Sequence, residues 1–285
     1  MYGLKNDMHF ASSEIKDRVL PVEGIENARQ LGGIAVQDGR TVRHGCLIRS
    51  GNLSKASDGD VALLKEVFRL TDVFDFRFGR EAAAEPDRAI DGVHQTPLPT
   101  LPQAFIDGFS SGRADTEQVK SADFTEALAR YAFMPQAQEL ARRLYPAIVM
   151  DPDSQRRYGA FLKGVLAAEG GALWHCSQGK DRAGWGTAFL LAALGADRKT
   201  IVEDFAYSNI PYASAVEALC SRVAAMGGGE AEQTFIRSMV GVSVENFETA
   251  LDLIDARFGS MNAYLSGPLG LRQEDIESLK NKYLQ

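Results

Sequence analysis

The sequence predicts an α/β fold in one domain, with a central, mostly parallel sheet flanked by helices. Short strand-like segments and turns fill the first third of the chain. A short apolar strand, Ala172–Trp174, then leads through a loop into an apolar helix, Ala183–Leu194. The remainder of the chain reads as helices, and strands that are followed and surrounded by helices indicate the α/β class.

The elements of the first third follow from local patterns. Residues 46–50 form a short apolar strand. Ser57 and Asp60 have the S-x-x-D spacing that caps the start of a helix. From Thr71 to Phe78 aromatic residues alternate with other side chains, as in a strand. Asp75 lies on the face opposite the aromatics, so this strand is either an edge strand with a solvated face or a strand that ends at a site.

The second half is predominantly helical. After the apolar helix, which Gly195 ends, we predict helices at about 197–207, 211–225, 230–239, 244–258 and 272–283. A helical insertion at about 100–150 is long for a connection in an α/β domain. It is either a mobile lid over the loop described below or an ordinary packed helical subdomain. The chain has no evident repeat or linker, so we expect one domain over 1–285.

Composition excludes several classes of protein. The chain has 285 residues, a net charge of -7 and 45% hydrophobic residues, which is ordinary for a globular protein. Its acidic balance argues against a nucleic-acid partner. We see no signal peptide and no stretch long enough to be a transmembrane segment, so we expect a cytoplasmic protein, with non-classical export as the alternative. The three cysteines are too few for a disulfide framework and form no zinc pattern with the four histidines, so we expect no metal and no cofactor.

One loop carries the chemistry. It has the pattern H-C-x-x-G-x-x-R and reads His175-Cys176-Ser177-Gln178-Gly179-Lys180-Asp181-Arg182-Ala183-Gly184. A strand delivers this loop, and a helix begins at or near Arg182. Successive N–H groups of the loop and of the helix start would face one centre, which makes an anion site.

The residue types in the loop suit phosphoryl transfer. The helix dipole, Lys180 and Arg182 would favour a thiolate at Cys176, which can attack phosphorus and form a phosphocysteine. The planar fork of Arg182 can bind two phosphoryl oxygens, and Gly179 permits a tight curl. The alternative is that Cys176 is an inert buried hydrophobe. That alternative leaves two cations at a helix start unexplained.

The loop HCSQGKDRAG resembles the phosphate-binding loop of protein tyrosine and dual-specificity phosphatases. The Gly-Lys-Asp-Arg variant is most similar to atypical bacterial and fungal tyrosine phosphatases, some of which also act on phosphoinositides. The resemblance covers nearly the whole chain, because five flanking segments match the family in order and spacing. They are Ile25–Gly33, Leu47–Leu53, Asp75–Arg77 with Glu81, Asp204–Asn209 and Phe258–Leu271.

The resemblance implies a cysteine-phosphatase-like fold and a phosphatase that acts on phosphotyrosine, with phosphoserine, phosphothreonine or phosphoinositides as further substrates. It implies a site that binds phosphate, sulfate or vanadate, and phosphorylated proteins or phosphoinositides as partners. Cys176 is the expected nucleophile and Arg182 binds the phosphoryl group. The expected phosphate-binding residues are Ser177, Gln178, Gly179, Lys180, Asp181, Arg182 and Ala183, supported by His175 and Gly184.

The proton donor has two candidates. Asp75 matches the Asp of the family's D-L-R motif, to which this role is assigned in some relatives. Asp181, inside the loop, is the alternative. We interpret Arg77 and Glu81 as a structural pair, and Lys180 as a second cation on the floor of the pocket or a solvated side chain.

One departure from the family pattern keeps other functions open. Ala183 replaces a Ser or Thr whose hydroxyl, in the family, helps the cysteine sulfur to leave during hydrolysis. Slow breakdown of the phosphoenzyme is therefore expected, and a phosphate-binding pseudophosphatase is the first alternative. A sulfurtransferase or an arsenate reductase with a similar loop is the second. A redox mechanism would need Cys46 or Cys220 near Cys176.

Overall fold

The strands of the computed structural model form one five-stranded sheet. The structure describes residues 17–102 and 121–285, with side chains from 125 onward in the second range. The strands are β1 Arg29–Gln30, β2 Leu47–Ser50, β3 Leu70–Asp75, β4 His94–Pro97 and β5 Gly171–His175. Their order is β1-β2-β5-β3-β4, and the pairs are parallel except for antiparallel β1–β2. The predicted mostly parallel α/β sheet is confirmed.

The described helices are α1 Asp58–Glu66, α2 Gly79–Ala84, α3 Ser121–Tyr131, α4 Ala137–Met150, α5 Pro152–Ala167, α6 Asp181–Leu194, α7 Arg198–Tyr207, α8 Asn209–Ala225, α9 Glu230–Val240, α10 Val244–Phe258, α11 Met261–Ser266 and α12 Gln273–Tyr283. The five helices predicted after α6 are confirmed to within two residues at each end. The short helix α11 was not predicted, because six residues carry too little periodicity. Ser57 and Asp60 form the predicted capping box of α1.

Strand β3 ends three residues earlier than predicted, because the chain leaves the sheet after Asp75. It lies inside the sheet, between β5 and β4, so the edge-strand interpretation is wrong. Phe74 packs in the larger core and Val73 in a second core on the opposite face, as strand alternation requires. Asp75 stands at the carboxyl end of the strand, beside the end of β5.

Helix α6 is the centre of the larger core. Most of its side chains are buried on every side, and Gly195 ends it in the left-handed conformation with φ +94°. The sheet lies against one side of the helix, and α7, α11, α12 and α5 pack around it. This burial explains why the sequence of α6 is apolar nearly all round.

Part of the predicted insertion lies outside the described residues. Within it, α3 and the start of α4 pack with α8 and α9 in a third hydrophobic cluster. Residues 103–120 are outside the described ranges, so the choice between lid and packed subdomain stays a prediction. None of the helices in the described ranges has both the length and the apolar character needed to cross a bilayer.

Candidate active site

Cys176 lies at the carboxyl edge of the sheet, between the central strand and the start of α6. All residues of β5 are buried, and the chain turns into the loop directly after His175. Helix α6 begins at Asp181, one residue before the position that we predicted. Cys176 is 2% exposed. A buried strand and a buried helix thus fix both ends of the loop.

The first carbonyl groups of the loop are held by protein donors. The Asn52 backbone N–H and Nδ2 donate to the carbonyl oxygen of Ser177 over 3.2 and 3.1 Å. The Tyr212 hydroxyl donates to that of Gln178 over 2.8 Å. His175 Nδ1 lies 3.2 Å from the carbonyl oxygen of Cys176. Each of these carbonyl oxygens therefore faces the surrounding protein.

The next two carbonyl groups, of Gly179 and Lys180, accept hydrogen bonds from two side chains and one backbone N–H. The carbonyl oxygen of Gly179 accepts from Asn27 Nδ2 at 3.0 Å and from Arg49 Nη2 at 2.8 Å. That of Lys180 accepts from Arg49 Nη2 at 2.9 Å and from the N–H of Gly184 at 2.7 Å.

The opposite side of the loop presents N–H groups. In a trans peptide the C=O and the following N–H point in opposite directions. Holding the carbonyls of residues 176–180 therefore turns the N–H groups of residues 177–181 to the other side of the loop. None of the N–H groups from 177 to 182 has an acceptor among the described residues. Consecutive N–H groups of this kind form an anion site.

Gly179 is required at its position for two reasons. Its φ is +68°, in the left-handed region that favours glycine. A Cβ there would lie 2.2 Å from the carbonyl carbon of Ser50. The loop therefore approaches β2 more closely than any side chain would allow.

Arg182 is held at one end by Glu81. Arg182 Nη1 and Nη2 donate to the Glu81 carboxylate over 2.6 and 2.8 Å, and Nη2 also lies 3.3 Å from the Ser177 hydroxyl. Arg182 Nε has no acceptor in the described part of the chain, so one edge of the guanidinium group is available for an anion.

The Glu81–Arg182 pair is ionised. Burial alone would raise the pKa of the Glu81 carboxyl, but the Arg182 guanidinium outweighs it and holds that pKa below its usual range. Burial alone would lower the pKa of Arg182, but Glu81 outweighs it and keeps the pKa above its ordinary value. Arg182 is therefore a permanent cation at the loop.

Lys180 points away from the predicted anion site. The residue is 3% exposed, and its ammonium group donates to the backbone carbonyls of Met239 and Gly241 over 2.5 and 2.8 Å. The expectation of a second cation on the pocket floor is wrong for this side chain, because main-chain oxygens at the carboxyl end of α9 hold it. Its backbone N–H still belongs to the anion site.

The two candidate proton donors are both bound by other groups. Asp181 accepts a hydrogen bond from the Tyr145 hydroxyl at 2.7 Å and lies 3.5 Å from the Lys180 ammonium. Burial and then Asp181 raise the pKa of Tyr145 well above its usual value, so the hydroxyl remains a donor. Asp75 accepts from Arg77 through the backbone N–H, Nε and Nη2 over 2.9 to 3.1 Å.

The interpretation of Arg77 and Glu81 as a structural pair is wrong, because the Arg77 guanidinium binds Asp75 and Asp87 instead. Its Nη2 lies 2.7 Å from the Asp87 carboxylate, and that carboxylate also lies 3.1 Å from His175 Nε2. The carboxylates and the imidazole have ligand-type atoms within 4.8 Å of one another. The Arg77 guanidinium supplies the positive charge of this cluster.

The other cysteines lie away from the loop. The carbonyl of Cys46 pairs with the N–H of Ala172, near the start of β5, whereas Cys176 follows its end. Four residues of strand separate them by about 13 Å, and a disulfide needs Cα atoms within about 7 Å. Cys220 belongs to the third cluster, about 12 Å along α8 from Tyr212. This geometry disfavours a redox mechanism.

Several functional contacts were not assigned from the sequence. They are the loop contacts of Asn27, Arg49, Asn52 and Tyr212, and those of Glu81 and Asp87. Asn27, Arg49, Asn52 and Glu81 lie in the flanking motifs, so these motifs were a sequence signal for them. Tyr212 and Asp87 lie outside the motifs, and no sequence pattern marked them.

The fold and the loop agree with the phosphatase class that the sequence resembles, and comparisons with known proteins give the family. A family model described as the tyrosine phosphatase family matches residues 20–285, so the chain belongs to that family and is a phosphatase of the protein tyrosine and dual-specificity class.

Two relatives match along most of their length. A candidate tyrosine-protein phosphatase of Cupriavidus necator is 30% identical over 93% of this chain and 88% of its own. The triple specificity protein phosphatase PtpB of Mycobacterium tuberculosis is 28% identical over 85% of this chain and 92% of its own. The crystal structure of P. aeruginosa TpbA aligns with a TM-score of 0.30 and 17% identity, over 74% of this chain and 89% of that one.

Replacing Gly179 by alanine should abolish most activity. Gly39 is the matched control, because its φ is +87° and a Cβ there meets nothing within 4 Å. Both substitutions should lower the free energy of unfolding by roughly 1–2 kcal/mol through left-handed strain, and Gly179→Ala should lower it further because its Cβ also clashes with Ser50. Gly179→Ala alone should lower turnover of an aryl phosphate, by about 100-fold or more, because the loop must move off Ser50. Equal turnover in the two variants would contradict this account.

Glu81→Gln should lower kcat/KM by about 10- to 100-fold, because Arg182 loses the carboxylate that orients it. Glu66→Gln is the control, since Glu66 is exposed at the end of α1 and makes no hydrogen bond or ion pair with the described residues. Steady-state kinetics and vanadate inhibition measure both variants. A Glu81→Gln enzyme with unchanged vanadate affinity would show that Arg182 is oriented by other contacts.

Proposed function

We propose that this phosphatase hydrolyses phosphate monoesters through a phosphocysteine at Cys176, with phosphotyrosine as the principal substrate. The observation that carries the proposal is the ring of N–H groups from 177 to 182, which have no acceptor among the described residues. The free edge of Arg182 adds a fixed cation to that ring. This arrangement is complementary to the three oxygens of a transferring phosphoryl group.

The chemistry has two steps. The Cys176 thiolate attacks phosphorus, the bond from phosphorus to the ester oxygen breaks, and a carboxylic acid protonates the leaving oxygen. The same carboxylate then takes a proton from water as the water attacks the phosphocysteine, and the bond from sulfur to phosphorus breaks. Inorganic phosphate leaves, and both the thiolate and the carboxylic acid are restored. The N–H groups and Arg182 stabilise the charge on the phosphoryl oxygens in both steps.

The substrate range rests on the pocket and on one relative. The Lys180 ammonium is bound to carbonyl oxygens, so Arg182 is the side chain of the loop that can bind phosphate. One such side chain favours a substrate with a single phosphate group. The name of the M. tuberculosis relative, a triple specificity phosphatase, supports testing more than one class of phosphate ester. Phosphoserine, phosphothreonine and phosphoinositides are therefore the secondary substrates to examine.

A substrate panel tests the proposal with the chain's own cysteines as controls. Phosphotyrosine peptide, phosphoserine peptide and mono- and multiphosphorylated inositol lipids are given to wild type, Cys176→Ser, Cys46→Ser and Cys220→Ser. We expect turnover to be highest with phosphotyrosine and lost only in Cys176→Ser. A phosphoryl group trapped on Cys176 by acid quench would support the intermediate. Activity that survives in Cys176→Ser, or that depends on another cysteine, would overturn the proposal.

Asp75 is our proposed general acid, with Asp181 as the alternative. Asp75 stands beside the end of β5, in register with His175 next to the nucleophile. A proton donor acts only while it is protonated, so it makes the rate fall at high pH. Without that donor, this fall in rate disappears. Asp75→Asn should lower kcat and flatten that alkaline limb, whereas Asp181→Asn should keep it. The reverse result would assign the role to Asp181.

Ala183 favours a slow second step, and a phosphate-binding pseudophosphatase is its extreme form. Ala183 is fully buried, and the nearby Thr187 hydroxyl is bound to the Ala183 carbonyl at 2.9 Å. Ala183→Thr restores the family's hydroxyl and should raise steady-state turnover while shrinking any burst of product. Rapid-quench kinetics measure both quantities. Unchanged turnover and burst would show that Ala183 does not limit the reaction.

A further inference from the structure

A buried cluster of charged side chains lies directly behind the phosphate-binding loop. Asp204 contacts the guanidinium groups of Arg18, Arg29 and Arg49 at 3.0, 3.3 and 2.8 Å. All four side chains are at most 7% exposed. Three cations around one carboxylate leave two positive charges buried next to a site for an anion.

Two chains of contacts lead from this cluster to the loop. Arg49 binds Asp204 through Nη1, and its Nη2 donates to the carbonyls of Gly179 and Lys180. Arg29 donates to Asn27 Oδ1 over 2.6 Å, and Asn27 Nδ2 donates to the same Gly179 carbonyl. The Arg49 chain ends on the peptide groups that carry the N–H groups of residues 180 and 181, and the Asn27 chain ends on the first of these two peptide groups.

We propose that Arg49 and Asn27 are positioning residues for phosphate binding, because they hold two loop carbonyls outward and so aim two N–H groups at the phosphoryl oxygens. The proposal rests on the function proposed above. It differs from a merely structural role for the cluster, which would join β2 to α7 without affecting how the loop receives an anion.

The geometry of Arg49 favours the positioning role. Arg49 Nη2 binds two consecutive loop carbonyls while Nη1 binds Asp204, so both arms of the planar guanidinium are used at once. A lysine keeps the charge but has one nitrogen in place of two arms, so it cannot make the loop contacts and the Asp204 contact together. Asn27 has φ +53°, a left-handed conformation that only Gly, Asn and Asp adopt readily. The hydrogen bonds of its amide to the Gly179 carbonyl and to Arg29 maintain this conformation at the loop.

The charge states of the cluster agree with this role. Burial would raise the pKa of Asp204, but the arginines around it hold the pKa well below its usual range, so it stays ionised. Burial and the neighbouring Arg29 lower the pKa of Arg49 to about 9, so it remains a cation at neutral pH. The cluster therefore presents positive charge to the loop throughout the neutral range.

The test measures anion binding apart from catalysis. Tungstate affinity is determined by calorimetry for wild type, Arg49→Lys, Asn27→Gly and Lys282→Met, together with kcat, KM and the melting temperature. Lys282 is the matched control, since it also holds backbone carbonyls, of Val165, Leu166 and Ala168, but lies at the opposite end of the sheet.

We expect Arg49→Lys to weaken tungstate binding by about 10- to 100-fold, the range for losing a hydrogen bond to a charged group. Asn27→Gly should weaken it about 10-fold with little change in melting temperature, because glycine accepts the left-handed backbone. Lys282→Met should lower the melting temperature and leave tungstate binding unchanged.

If Arg49→Lys fails to fold, Asn27→Gly decides the question. Wild-type tungstate affinity in a folded Asn27→Gly or Arg49→Lys variant would overturn the proposal. A wild-type protein that binds tungstate but hydrolyses none of the phosphate esters would overturn the proposed function alone, since the affinity comparison does not depend on turnover.

Discussion

The outward orientation of five consecutive loop carbonyls is the constraint on which the rest of the structure depends. Each trans peptide sends its N–H to the side opposite its C=O, so holding the carbonyls of residues 176–180 exposes N–H groups toward one centre. The donors come from segments that are far apart in the chain: Asn27 before β1, Arg49 in β2, Asn52 after it and Tyr212 in α8. The sheet and the helices behind it bring these segments together at the carboxyl edge of β5.

The acidic net charge of the chain coexists with a local excess of positive charge. Arg182, the start of α6 and the buried arginines around Asp204 concentrate positive potential on the two sides of the loop. Two carboxylates bind these cations. Glu81 binds and orients Arg182, and Asp204 binds Arg18, Arg29 and Arg49. Burying charges costs free energy unless partners are close. Arg182 and Arg49 are therefore each paired with a carboxylate at one end, while the other end of Arg182 is open to an anion and that of Arg49 binds loop carbonyls.

Local patterns predicted most of the fold, and contacts at long sequence separation account for the errors. The capping box of α1 involves two residues of one helix start, so the pattern along the chain contained it. The pairing of Arg182 with Glu81 joins residues 101 positions apart, and the burial of Lys180 depends on residues at the carboxyl end of α9. The sequence shows two cations in the loop, Lys180 and Arg182. It does not show that the Lys180 side chain points away from the anion site.

The sequence by itself determined the family, the α/β class and the identity of the loop, because these are written in short motifs and in the alternation of strands and helices. Composition and spacing were enough to single out Cys176 and Arg182 among the cysteines and arginines of the chain. The tertiary structure alone decided which groups hold the loop, which cation is available to an anion and which carboxylates are bound by arginine. The physical reason is that hydrogen bonds and ion pairs depend on distances of about 3 Å, and folding sets those distances between residues far apart in the chain.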